Sequence, residues 1–433
     1  MATRFLFYSH PASTTPLARL ASQTARASSI LRSVPTFLAR STQNRPSTAS
    51  PILQASFYST PSDAPSNTKT KFVYNVAASY IAKGRAYDPS IHLFQFDPYN
   101  RVSPPKGAAR GKKARPESGQ DAFFVSRLGT NPGEVALGVA DGVGGWMESG
   151  VDPADFSHAF CNYMAAAANA AAEISAYTGK PLTARQLMQL GYDAVCHDPS
   201  IRAGGSTAIV GLLTANGRAE IANLGDSGFL MLRRNGVHAY SEPQTHAFNT
   251  PYQLSVVPRS MLLRAAAFGG GQLMDQPADA DLIRHQLRHG DVLIFASDGL
   301  WDNLFNQQIL RIVSQVMARA GAWVQNSQTG VQVAPDLRPF TQLQQENTAS
   351  SNVKLPSPPN TLQSLLATEI VAAAKAASVS PHLDGPFAKE VKKYYPNESW
   401  HGGKEDDICI VVVLVSEEEC PSQEQTPAPK AKL

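Results

Sequence analysis

The sequence predicts an α+β layered domain, with antiparallel strands in two groups and long amphipathic helices inserted between and after them. Three observations carry this expectation. Apolar runs of strand length end on Asp-Gly at 137–142 and 292–299, and a third, 408–415, opens on Asp406-Asp407. Turn chemistry at 215–217 (Ala-Asn-Gly) and 225–228 (Gly-Asp-Ser-Gly) separates strand signals into an antiparallel meander. Elsewhere the apolar period becomes helical.

In chain order, residues 1–62 hold six arginines (Arg4, Arg19, Arg26, Arg32, Arg40, Arg45) and no acid. An acid-free, Arg- and Ser-rich leader with scattered apolar residues reads as a mitochondrial presequence followed by a disordered linker. A strand is expected at 72–74, and the segment 104–116 carries Lys106, Arg110, Lys112, Lys113 and Arg115 in one loop. Without interleaved aromatics that loop is a solvated surface and not a nucleic-acid site. Strands follow at 122–126 and 135–140, then helices at 155–177, with Asp152 or Asp155 near the start, and at 184–195. Strands return at 207–213, 219–223 and 229–233, helices at 306–320 and 361–378, and the last strand at 408–415. Residues 322–360 are rich in Gln, Ser, Thr, Asn and Pro, which predicts a low-complexity, unstructured insert. The folded domain is placed at 70–416, with a disordered tail over 417–433. Of the 433 residues four are cysteines, with no CxxC pair, so reduced thiols are expected; the net charge is +3. No apolar run reaches the roughly 18–20 residues of a membrane span. A monomer without a membrane span is expected.

In antiparallel sheets the end of one strand and the start of its neighbour share an edge. Asp141 and Asp298, at strand ends, can therefore meet Asp406, at a strand start. An isolated Asp-Gly most often closes a hairpin. Asp141-Gly142 and Asp298-Gly299 instead lead into helices, whereas Asp226 fits a turn. Three carboxylates on one edge repel by about 4 kcal/mol per pair at 4 Å and an effective dielectric near 20, so a positive group must sit among them. All-oxygen ligation selects magnesium or manganese over zinc. Gly142 fits such a site because its carbonyl can approach an ion closely.

The ordered set GQDA (119–122), VADGVGGW (139–146), GVDPADFS (150–157), GSTA (205–208), NLGDSGF (223–229), HAFNTPYQL (246–254), ASDGLWDNL (296–304) and GGKEDDI (402–408) resembles the metal-dependent serine/threonine protein phosphatases of the PPM type, in their mitochondrial branch. The resemblance implies two packed antiparallel β-sheets flanked by helices, an α/β/β/α sandwich. It implies two Mn2+ or Mg2+ ions, bridged by Asp141, with Asp298 and Asp406 completing one site and the Gly142 carbonyl and Asp121 serving the other. Asp407 is expected beside the ligands, and Asp226 and Asp302 match positions of a weaker third ion. Arg115 is the nearest match for a phosphate-binding arginine. The implied reaction is in-line attack of an ion-bridging water on phosphoserine or phosphothreonine of mitochondrial matrix proteins.

Two departures stand out. Gln120 replaces one acid of the usual acidic pair, and Val143 stands where many members have a histidine. His246 is then the candidate general acid. Gln120 also motivates an alternative, a phosphoprotein-binding pseudophosphatase. The GDSG of 225–228 is shared with chymotrypsin-like serine proteases, but Phe229 follows it and the upstream histidine context is missing.

Overall fold

The computed structural model describes residues 70–97, 115–267, 274–342 and 361–419. The expected presequence, residues 104–114 of the basic loop, residues 343–360 of the insert and the tail from 420 lie outside them. Eleven strands build two sheets: β1 (Thr70–Ile81), β2 (Leu93–Gln95), β3 (Asp121–Leu128), β4 (Asn131–Asp141), β5 (Ala208–Leu213), β6 (Arg218–Leu224), β7 (Gly228–Arg233), β8 (Gly236–Tyr240), β9 (Asp281–Gln286), β10 (Val292–Ala296) and β11 (Ile408–Glu419). One sheet has the order β2-β1-β11-β10-β7-β8 and the other β9-β6-β5-β4-β3. All their pairings are antiparallel.

The burial of β11 explains its unbroken apolar run. Cys409, Val411, Val413 and Val415 join Phe295, Leu137, Val139 and Ile209 in the core between the two sheets. Ile408, Ile410, Val412 and Leu414 face the opposite way, into a core shared with helices α3 (Asn306–Ala320) and α4 (Leu362–Ser378). A strand covered on both faces has no position for a polar side chain. The second sheet is covered in the same way by α1 (Pro153–Asn169) and α2 (Ala184–His197), through Phe156, Phe160, Met164, Leu187 and Met188. The layers are thus helix, sheet, sheet, helix. Edge strand β9, by contrast, is half-exposed along its length.

Several boundaries differ from expectation for local reasons. The strand expected at 72–74 runs on to Ile81, because Ala77, Ala78 and Ser79 are small residues packed under helix and sheet, where size and not period decides. The helix expected at 155–177 starts at Pro153, capped by the Asp152 side chain on the Ala154 amide, and breaks at Ala170 before a second helix, Ala171–Thr178. The insert is not structureless at its start. Trp323–Asn326 and Gly330–Val333 pair as a hairpin, anchored by buried Trp323, whose indole donates to the Gly290 carbonyl. Its strands are only four residues each, inside a segment rich in Gln, Ser and Thr, which hides that anchor from composition. The last strand also runs past 416 to Glu419, pairing with Thr70. Among the described residues Cys161, Cys196 and Cys409 are free, and no helix is long and apolar enough to cross a membrane.

Candidate metal centre and active site

The topology brings one end of the two sheets together. Asp121, first in β3, pairs directly with Asp141, last in β4. Ser297 and Asp298 follow β10, Asp406-Asp407 precede β11, and Asp226 lies in the turn between β6 and β7. The Ser297 amide donates to the Cys409 carbonyl (3.1 Å) and the Ser297 hydroxyl to Asp121 Oδ2 (2.6 Å), which ties the ends of the two sheets to each other.

The glycines after the aspartates have packing reasons. A Cβ on Gly142 would stand 2.8 Å from the Gln120 and Pro153 carbonyl oxygens, and one on Gly299 would stand 2.0 Å from the Asp407 carbonyl oxygen. Neither Asp-Gly is a hairpin turn; in each, backbone from another element fills the space of the missing side chain.

Around Asp141 the backbone is fixed. Its amide donates to the Thr207 hydroxyl (3.2 Å), and its carbonyl accepts from the Ser206 hydroxyl (2.8 Å) and the Thr207 amide (2.9 Å). The carboxylate side of this half is only partly satisfied. Asp121 is 1% exposed, and its Oδ1 has no hydrogen-bond partner. Burial, then the nearby Asp407 charge, pushes Asp121 well above the usual carboxylate range, and burial with Asp121 and Asp298 does the same to Asp141. Asp407 is a strap: its two oxygens accept from the Lys83 amide (2.6 Å) and the Gln120 amide (2.7 Å).

The other half holds a cation. Lys404 Nζ donates to Asp298 Oδ2 (2.5 Å) and Asp302 Oδ2 (2.6 Å) and lies 3.3 Å from Asp406 Oδ2. Burial raises Asp298, but the ammonium and hydrogen bonds from Lys404, Asp141 and Asp302 bring it below the usual range. Asp302, on the same ammonium, is instead pushed well up by burial and by Asp298. Asp226, whose buried Oδ1 has no partner, is raised to about 7 by burial and by Asp298, against the pull of Lys404. Asp226, Asp298 and Asp302 wall one side of a cleft of about 490 Å³ also lined by Tyr240, Trp301 and Pro386.

Sequence reasoning missed Lys404 and Asn303. The buried Asn303 side chain accepts from the Lys404 amide (2.9 Å) and donates to the Lys404 carbonyl (2.8 Å), and so aims the lysine. The only signal was the inequality of charge that the clustered acids imply, since a lysine between glycines and a glutamate reads as solvated loop.

Other expected residues stand as follows. The Arg115 guanidinium donates to Asp155 and lies 3.6 Å from Asp152, so it is held against the first turn of α1. Ser157 and His158 of the same helix contact the carbonyls of Gln120 and Gly119. The Gln120 amide donates to the Met147 sulfur at 3.2 Å, over the 143–145 bend. His246 contacts Asp275 Oδ2 (3.0 Å) and stacks on Tyr252, so its position is fixed from two sides. Ser227 is buried and shares a hydrogen bond with Thr207, which removes it as a protease-type nucleophile.

The donor set fits a hard divalent cation: carboxylate and carbonyl oxygens, buried, with two orphaned oxygens and more negative charge than one ammonium offsets. Among the described residues no three His, Cys, Asp or Glu side chains stand ready in ion-ligand geometry. Where three carboxylates do converge, Lys404 holds the space between them.

Comparison with known proteins identifies relatives of the chain. The family model "Protein phosphatase 2C" matches residues 110–332. The chain is 32% identical over 301 residues to "Protein phosphatase 2C homolog 7, mitochondrial" of Saccharomyces cerevisiae, covering 70% of this chain and 75% of that one. It is 32% identical over 298 residues to "Protein phosphatase PTC7 homolog fig" of Drosophila grimshawi, covering 69% and 79%. To "5-azacytidine resistance protein azr1" of Schizosaccharomyces pombe it is 32% identical over 301 residues, covering 69% and 83%. The X-ray structure of the photosystem II phosphatase PBCP aligns over 79% of this chain and 98% of that one, at 22% identity and a TM-score of 0.49. With the family model spanning more than half the chain and these relatives matched over most of their length, the chain belongs to the protein phosphatase 2C (PPM) family of serine/threonine protein phosphatases.

Proposed function

We propose that the chain is a metal-dependent phosphoserine/phosphothreonine phosphatase of the mitochondrial matrix, acting on phosphorylated matrix proteins. The observation that carries the chemistry is the aspartate cluster at the common end of the two sheets, with buried, unpartnered oxygens on Asp121 and Asp226. The name of the Saccharomyces cerevisiae relative and the arginine-rich, acid-free leader support the compartment.

In this reading Asp141, Asp298 and Asp406 would hold one ion, and Asp141, Asp121 and the Gly142 carbonyl would hold the other. Manganese or magnesium, when bound, would activate the attacking water and offset charge on the phosphoryl oxygens. The chain's own part is placement. Thr207 and Ser206 fix the Asp141 backbone, Ser297 orients Asp121 by taking up its Oδ2, and Asp407 locks the Gln120 segment against Lys83. Arg115, braced by Asp155 at the start of α1, is the candidate to receive substrate phosphate.

A second reading, a phosphoprotein-binding pseudophosphatase, draws on Gln120, whose neutral amide is turned to the Met147 sulfur. Hydrolysis of a phosphothreonine peptide with millimolar manganese separates the two. The phosphatase reading expects turnover that a chelator abolishes; peptide binding with no turnover at saturating manganese would favour the second.

A further inference from the structure

We propose that the Lys404 ammonium is a built-in cation occupying the seat that Asp226, Asp298 and Asp302 would otherwise offer to a third divalent ion, so that this site takes two ions and no more. The inference rests on the two-ion reading above and concerns the third position alone.

The geometry of the ammonium carries it. Lys404 Nζ has Asp298 Oδ2 at 2.5 Å, Asp302 Oδ2 at 2.6 Å, Asp406 Oδ2 at 3.3 Å and Asn249 Oδ1 at 3.4 Å. A lysine ammonium has three N–H donors and no acceptor, so it satisfies carboxylates from several directions as a small cation does. A hard divalent ion would need oxygens at roughly 2.0–2.6 Å. It cannot take Asp298 Oδ2 and Asp302 Oδ2 while the nitrogen stands between them. The two cations exclude each other.

The lysine is also held for this purpose. Asn303, 3% exposed, grips its backbone on both sides, at the amide (2.9 Å) and at the carbonyl (2.8 Å). Asn303 directly follows Asp302, so one short segment supplies both the carboxylate and the clamp on its partner. The Phe387 ring lies 5.1 Å from the ammonium, and the side chain is 14% exposed. A surface lysine with four carbons of free rotation would show none of these restraints. Each carboxylate meets the ammonium through Oδ2, Asp406 at the longest distance of the three. Asp406 Oδ1 accepts from the Asp407 amide (3.1 Å) and lies 3.8 Å from the exposed Lys83 ammonium, so the Lys404 nitrogen sits tightest between Asp298 and Asp302, the pair a third ion would need.

The test counts manganese. Full-length wild type, Lys404→Met and the double variant Lys404→Met/Asp302→Asn are titrated by isothermal calorimetry, with bound metal measured after equilibrium dialysis against millimolar manganese. The expected result is two ions per chain in wild type, three in Lys404→Met, and two again in the double variant. A third ion in wild type that Asp302→Asn alone removes would overturn the inference, as would Lys404→Met remaining at two. The wild-type arm decides even if Lys404→Met does not fold. Binding of no manganese by folded wild type would overturn the two-ion reading itself, a result distinct from a wrong count.

Discussion

The two halves of the aspartate cluster carry like charges in like burial and are built in opposite ways. On the side of Asp121 and Asp141 the carboxylates face one another from paired strands, with a serine hydroxyl and no cation among them. On the side of Asp298, Asp302 and Asp406 a clamped lysine ammonium holds three carboxylates at once. The first half carries repulsion that an added cation or a proton relieves; the second is already partly neutralised by Lys404. An enzyme that must gain and release ions needs the first kind of half, and one that must hold its shape without them needs the second.

Replacing one carboxylate in each half breaks this comparison most sharply. Asp141→Asn is expected to lower phosphopeptide turnover by at least on the order of 10²–10³-fold, the scale of losing one preorganised electrostatic group. In ion-free protein it should leave thermal stability unchanged or raised, because it removes a like charge. Asp298→Asn should abolish turnover equally but also destabilise, by about 1–2 kcal/mol. That is less than the roughly 3–5 kcal/mol of breaking an isolated buried pair, because Asp302 and Asp406 keep the ammonium partnered. Melting curves of the two variants in chelator, showing shifts of the same sign, would erase the distinction.

Asn303→Ala tests the clamp. It strips a hydrogen bond from the Lys404 amide and another from its carbonyl, and a loss of about 1–3 kcal/mol is expected from groups left unpaired. Denaturant unfolding of the ion-free protein measures it.

The pH dependence of the ion-free protein follows from the carboxylates of both halves. Asp226 rises from 3.8 unfolded to about 7 folded. A carboxyl raised on folding contributes stability that is fully present below its unfolded value and lost as pH climbs through the folded one. Asp121, Asp141, Asp302 and Asp406 are shifted in the same direction. His158 works the other way: burial and Arg115 lower it from 6.5 to about 4, so its contribution is lost as pH falls through that window. His238 and His285 are lowered too, and Asp407 is raised, so three imidazoles stand against six carboxylates. The ion-free protein is expected to melt higher at pH 5 than at pH 8, and manganese at pH 8 should remove the difference, since bound cations favour the ionised ligands.

The smallest effect is expected at Gln120. Gln120→Glu adds a carboxylate beside the half that lacks a cation, and its apparent manganese affinity should tighten by about tenfold, the lower end of what a residue behind the ligands contributes. Unchanged affinity would separate Gln120 from the ion site.

Much of this was legible in the sequence, for identifiable reasons. The runs at 137–140, 292–296 and 408–415 are buried on both faces, so each reads as a strand at every residue, and antiparallel pairing then fixes which ends meet. Short edge elements were not legible: β2 and β8 and the hairpin at Trp323–Asn326 and Gly330–Val333 have too few residues or too much polarity for a period to show. At the site, carboxylates that terminate apolar runs announce themselves by contrast. Lys404 does not, because its role comes from Asn303 and Asp302, about a hundred residues away in sequence, and no local pattern encodes such a meeting.

The most direct test of the hydrolytic role of the cluster is phosphothreonine-peptide hydrolysis by wild type and Asp141→Asn, each with millimolar manganese and with chelator. Turnover in wild type with manganese alone, and in no other condition, is the expected result. Undiminished turnover in chelator, or in Asp141→Asn, would contradict it.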